Sequence, residues 1–259
     1  MKHILPLMLL GTLSLARAQT PPNDSNAPTR PVVPANASNN LLQGHESDKR
    51  MPANTKGGWG LEKAVIKDPS LPRVLLIGDS ILGGYHSHVI KGLLGKANVD
   101  VWLTPLNQNN PKVLDAYKEA IAQGPYAVIH FNIGLHGIQP GRIPTDKYIP
   151  LTRALVSTIR ESAPQAKLIW ASTTPALHIS EIDEPDPSLN PVVISHNAMA
   201  AQIMAENNIP IDDLYTLMMP HLNLRKGGND NYHWKPAAYQ LMAGSIVESI
   251  EKALAASHP

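Results

Sequence analysis

From about residue 57 onward, short apolar runs alternate with stretches whose apolar residues recur every three or four positions. The short runs predict strands, and the wider spacing predicts amphipathic helices that pack on them. Arg73–Ile77, ending in Gly78, is the first predicted strand. Val99–Leu103, Tyr126–Ile133, Lys167–Ser172 and a short Ile209–Leu214 follow. Between them, Val113, Leu114, Tyr117, Ala120 and Ile121 share one helical face that stops at Gly124. Tyr148, Leu151, Leu155 and Ile159 form a second face ahead of Pro164. Asn197–Asn207 predicts a third helix, with Met199, Ile203 and Met204 inward. The last begins near Pro236, whose fixed φ suits a first turn, and runs through Leu241, Ile246 and Ile250.

Strand–helix alternation of this kind predicts an α/β fold, a mostly parallel sheet with helices on both faces. In such sheets the reacting groups gather beyond the carboxyl ends of the strands, where the strand order reverses. Three segments fall there: Gly78-Asp79-Ser80, Gly134-Leu135-His136, and the stretch before the last helix.

The chain before residue 57 reads differently. Lys2 gives a positive start, Ile4 to Leu15 is mostly apolar, and Ala16-Arg17-Ala18 is a small-x-small cleavage pattern. Residues 1–18 are therefore expected to be a signal peptide, and the mature protein to be secreted or periplasmic. The apolar run is too short for a stable membrane span, so none is expected in the mature protein. Residues 19–56 are rich in Pro, Asn, Ser and Thr, and hold too few large apolar groups to offset the entropy of ordering; they predict a disordered linker. Residues 57–259 remain as one folded domain, a length that suits a single core.

Composition narrows the chemistry. There is no cysteine, which excludes disulfides, thiolate metal sites and a thiol nucleophile. The formal net charge is +1. Without Lys2 and Arg17, 20 basic residues face 21 acidic ones, a net of −1. Neither value gives a reason to expect nucleic acid as a partner.

Gly78-Asp79-Ser80 ends an apolar strand and places a serine where a helix should start. That would lift a hydroxyl above the sheet beside free backbone N–H groups. On the tripeptide alone, a turn whose Asp or Ser caps a helix is the better reading. Asp230-Asn231-Tyr232-His233 precedes Trp234-Lys235-Pro236 and the last helix. A serine hydroxyl needs a base within hydrogen-bond reach, and a carboxylate fixes that base's tautomer. An Asp and a His three apart can meet across one turn.

Together the two segments resemble the SGNH/GDSL hydrolase superfamily, over roughly residues 72–245. The resemblance implies a flavodoxin-like three-layer αβα sandwich with a five-stranded parallel sheet. It implies Ser80 as nucleophile, His233 as general base and Asp230 as its orienting acid. It also implies an oxyanion hole from the Ser80 N–H and from two middle blocks, and here the chain departs from the pattern. Where the family carries Gly-x-Asn-Asp, this chain has Gly134-Leu135-His136-Gly137, so His136 stands at the donor position. An imidazole N–H can donate as an amide does. The second block, Leu106-Asn107-Gln108-Asn109-Asn110, lacks the family glycine and leaves Asn107 as the local donor. A subgroup with a Gly-Leu-His block resembles polysaccharide-processing esterases.

The expected function is hydrolysis of short acyl esters, acetyl foremost, on a small-molecule or polysaccharide substrate, with no cofactor and no metal. Trp234, beside the base, is the candidate to stack on a sugar face. A generic carboxylesterase or lipase of the same fold stays open, as does a catalytically impaired carbohydrate-binding relative. His86 and His88 could line a pocket rim. His130, in a strand, reads as a core group, and Asp183, Glu184 and Asp186 read as a solvated loop.

Overall fold

The computed structural model describes residues 59–132 and 134–256. The leader expected over 1–18 and the linker expected over 19–56 lie outside the described residues.

Six strands form one sheet: β1 (Gly60–Glu62), β2 (Arg73–Gly78), β3 (Asn98–Leu103), β4 (Val128–Phe131), β5 (Lys167–Ala171) and β6 (Ile211–Asp212). Their spatial order is β1-β3-β2-β4-β5-β6. Strands β2 to β6 are parallel to their neighbours, the five-stranded parallel sheet expected. The sixth strand was not anticipated. β1 runs antiparallel on the β3 edge, with Leu61 opposite Trp102. At three residues it is too short to show a period, and its partners lie about 40 positions away.

Alternation along β2 divides the core. Val74 and Leu76 face one side of the sheet, Leu75 and Ile77 the other. On the first side lie α1 (Ser80–Gly92), α5 (Leu214–Met218) and α6 (Pro236–Ala255). They bury Leu82, Tyr85 and Val89 of α1 against Met242, Ile246 and Ile250 of α6. On the other side lie α2 (Val113–Ile121) and α3 (Tyr148–Ser162), which bury Tyr117, Leu155 and Ile159. α4 (Asn190–Glu206) contributes Ile203 and Met204 to this second core. Each such side chain stabilises the fold by about 1.5–3 kcal/mol. Two cores on either side of one sheet make the three layers.

Helix α4 starts seven residues earlier than its apolar pattern predicts, because Pro191 sits in its first turn and Asp186 caps its approach. The third and fifth predicted strands shorten to Val128–Phe131 and Ile211–Asp212. Among the described residues no helix is long and apolar enough to cross a membrane.

The strand order reverses at β2, with β3 on one side and β4 on the other. The crevice at that reversal lies beyond Gly78 and Phe131, where the chain runs into Ser80 and His136.

Candidate active site

Ser80 is the first residue of α1, and Asp79 is its N-cap. Asp79 is 2% exposed; its Oδ1 accepts from the Ile81 N–H at 3.0 Å, and its Oδ2 from the Leu135 N–H at 3.3 Å. One carboxylate thus fixes the start of α1 at Ser80 and draws the Leu135–Gly137 3₁₀ turn beside it. Burial pushes the Asp79 carboxyl up, opposed by the Ile81 N–H, by His136, by the Leu135 N–H and by His233.

Ser80 Oγ lies 2.8 Å from His233 Nε2. His233 Nδ1 lies 2.9 Å from each carboxylate oxygen of Asp230. If Nδ1 carries the proton toward Asp230, Nε2 presents a lone pair to the serine hydroxyl. Asp230 Oδ1 also accepts from the Tyr232 N–H at 3.1 Å and the His233 N–H at 3.0 Å. The turn therefore wraps its own acid. Burial resists ionisation of Asp230, but these bonds and the His233 ring outweigh it and bring its pKa down to about 2. Lys226 Nζ adds a contact to Oδ2 at 3.2 Å.

Tyr239 on α6 closes the back of the site. Its ring lies over Gly84 of α1, where a Cβ would come within 2.2 Å of Cζ. Its hydroxyl accepts from the Trp234 N–H at 3.3 Å. Burial pushes that hydroxyl up to about 12. One side chain so touches both α1 and the residue after His233.

His136 is half-buried, edge-on to Trp59 at 5.4 Å between ring centroids. Burial holds its imidazole below the usual range; Asp79 opposes this, while Arg142 and His233 reinforce it. A neutral ring near pH 7 can donate one N–H. Its backbone carbonyl accepts from Asn107 Nδ2 at 3.3 Å and Arg142 Nη1 at 3.2 Å. One N–H of the Asn107 amide thus holds the His136 carbonyl, and its second N–H and the backbone N–H are left to offer a reacting group. Gly134 precedes this turn in tight quarters, for a Cβ there would lie 1.9 Å from Thr173 Oγ1.

Trp234 corrects an expectation. It is 2% exposed, in the core under α6, and presents no open indole face. Its backbone pairs antiparallel with Arg225 as an isolated bridge, and extended chain turns successive side chains to opposite sides. His233 faces the site, so Trp234 faces inward. His86 is also buried, with Nδ1 at 3.0 Å from the Gly83 carbonyl, and does not form a rim. His130 lies in the core as expected, with Nε2 at 3.2 Å from Asp212 Oδ2. Among the described residues no group of three or more His, Asp or Glu could hold a metal ion.

Asn231 and Tyr239 were not singled out by sequence. Asn231 lies inside the Asp230–His233 turn, yet its partners, Leu177 and Asp186, are 54 and 45 positions away. No local pattern marks such a contact.

No family model matches the sequence, and no curated protein matches it. Solved structures do resemble the fold. An acetyl xylan esterase superposes with a TM-score of 0.58 at 13% identity, over 69% of this chain and 99% of its own. A carbohydrate esterase family 3 protein from Talaromyces cellulolyticus gives 0.55 at 14%, over 70% and 97%. A Parabacteroides merdae protein described as a GDSL-like lipase gives 0.55 at 14%, over 70% and 95%. The chain thus shares the α/β fold of these solved structures, with Ser80 following the first of its parallel strands and His233 preceding its last helix.

Proposed function

We propose that this protein is a secreted or periplasmic serine esterase that removes short acyl groups, acetyl foremost, from carbohydrate. One observation carries this reading: the continuous line from Ser80 Oγ through His233 to Asp230, at 2.8 Å and 2.9 Å. Structural neighbours named as an acetyl xylan esterase and a family 3 carbohydrate esterase support the substrate class.

His233 Nε2 takes the Ser80 proton as Oγ attacks the ester carbonyl. Asp230, ionised down to about pH 2, stabilises the imidazolium through Nδ1–H. The tetrahedral oxyanion is met by the Ser80 N–H, free at the start of α1, and by the His136 ring. Asn107 contributes through its grip on the His136 carbonyl and through its backbone N–H. The C–O bond to the sugar breaks, and the imidazolium gives its proton to the leaving alkoxide. Water, deprotonated by His233, then attacks the acyl-enzyme and releases the acid and free Ser80. The scheme calls for no cofactor.

Ser80→Ala tests it. The hydroxyl is lost while the α1 cap at Asp79 stays, so hydrolysis of p-nitrophenyl acetate should fall by about 10⁶ in kcat with the fold intact. Full activity would overturn the assignment. Acetate release from acetylated polysaccharides, compared with hydrolysis of medium-chain esters, tests the substrate. Faster turnover of the latter would favour a general carboxylesterase.

A further inference from the structure

Asp230 and His233 are fixed relative to each other by their own turn, but the turn must also be held against the rest of the molecule. Its C-terminal end is held by Lys226 N–H on the His233 carbonyl at 2.9 Å and by Tyr239 under Trp234. Asn231 holds its other end. The Asn231 carbonyl accepts from the Leu177 N–H at 2.7 Å. Its Nδ2 donates to the Leu177 carbonyl at 2.8 Å and to Asp186 Oδ2 at 2.9 Å.

Both anchors are themselves tied down by hydrogen bonds. Leu177 is fully buried and pairs antiparallel with Pro185. Asp186 donates its N–H to the Ala176 carbonyl at 2.8 Å. Its Oδ1 accepts from the Ser188 N–H, the Ser188 hydroxyl and the Leu189 N–H at 2.7–2.9 Å, just before α4. Burial resists its ionisation, yet these donors hold the carboxyl below its ordinary range. The other oxygen is thus a charged acceptor aimed at Asn231, the stronger kind of hydrogen bond.

We propose that Asn231 is a positioning residue for the esterase reaction: by pinning the Asp230–His233 turn to Leu177 and Asp186, it sets the aim of His233 Nε2 at Ser80. This rests on the Ser80–His233–Asp230 reading above. Asn231 itself does not touch the reacting atoms. It acts through the base, where a displacement of about 1 Å costs about 10²-fold in rate.

The test measures kcat and KM for p-nitrophenyl acetate, the rate of Ser80 labelling by a fluorophosphonate, and the urea midpoint. In Asn231→Ala, kcat and the labelling rate should fall together by about 10²-fold with KM little changed. Asp186→Asn keeps an acceptor oxygen and should retain most activity. Asp186→Ala should lose part of it, and adding Asp186→Ala to Asn231→Ala should cost no further kcat, since both act through one bond. A merely structural role would lower the urea midpoint and leave the labelling rate of folded protein at the wild-type value. That result, or a loss confined to KM, overturns the proposal. If Asn231→Ala does not fold, Asp186→Ala, which leaves both Leu177 bonds in place, carries the same test through its labelling rate. If Ser80→Ala remains active the esterase reading itself falls. If Ser80→Ala is dead while Asn231→Ala labels normally, only this inference falls.

Discussion

Gly134→Ala is a small change at a place with no room. The new Cβ would lie 1.9 Å from Thr173 Oγ1, 2.6 Å from its Cγ2 and 2.7 Å from its Cβ. Thr173 cannot simply retreat, because its N–H and carbonyl are both paired with the Asn197 side chain at 2.9 Å. Strain must pass instead to the Leu135–Gly137 turn, which carries His136 and the N–H that Asp79 accepts. Overpacking of this kind costs about 1–3 kcal/mol, or about 2–12 °C in Tm for a domain of this size. Thermal melts and kcat for p-nitrophenyl acetate should both drop. The compensating change is Thr173→Gly, which removes all three contacting atoms. It leaves the backbone bonds to Asn197, and Asn132 Nδ2 keeps its stronger partner, the Ala171 carbonyl at 2.6 Å. The double variant should therefore melt higher than the sum of the single losses predicts, and recover kcat. A Gly134→Ala protein with wild-type Tm and kcat, or strictly additive losses, would refute the close-packing argument.

Two further outcomes follow from the site. His136→Ala should lower kcat by about 10²–10³-fold, and His136→Asn, which restores a side-chain donor, by less; equal losses would remove His136 from the oxyanion hole. Asp230 has a folded pKa of about 2 against an ordinary 3.8, so the stability it contributes is complete above the ordinary value and lost as pH falls through about 2. The urea-midpoint advantage of wild type over Asp230→Asn should accordingly shrink between about pH 4 and pH 2, and an advantage that grew on acidification would contradict the sign.

Much of the fold was legible because β2 to β5 are apolar enough, and α2, α3 and α6 periodic enough, to declare themselves locally. Ser80 and His233 stood out for a different reason: each lies beside a marked boundary, Ser80 opening α1 just after Gly78 and His233 just ahead of Pro236, which opens α6. What sequence hid depends on contacts between distant segments. β1 exists because β3 offers it an edge. Trp234 looked available beside the base, but the alternation of an extended backbone turned it into the core. Asn107 has the right chemistry for an oxyanion donor, and sequence did not show that one N–H of its amide also reaches a carbonyl 29 residues on.

The turn from Asp230 to His233 has a broader consequence. It binds its acid with its own amides, so the spacing between acid and base does not depend on the sheet, the helices or the cleft. Such a turn behaves as a cartridge. Loops around it can be rewritten without resetting the distance between Asp230 and His233, provided the cartridge stays seated at its two ends. For an engineer this sets the order of work: vary the outer loops, spare the packed turn at 134–137, and treat residues 230–233 with their anchors at 177, 186 and 239 as one part to be moved or kept whole.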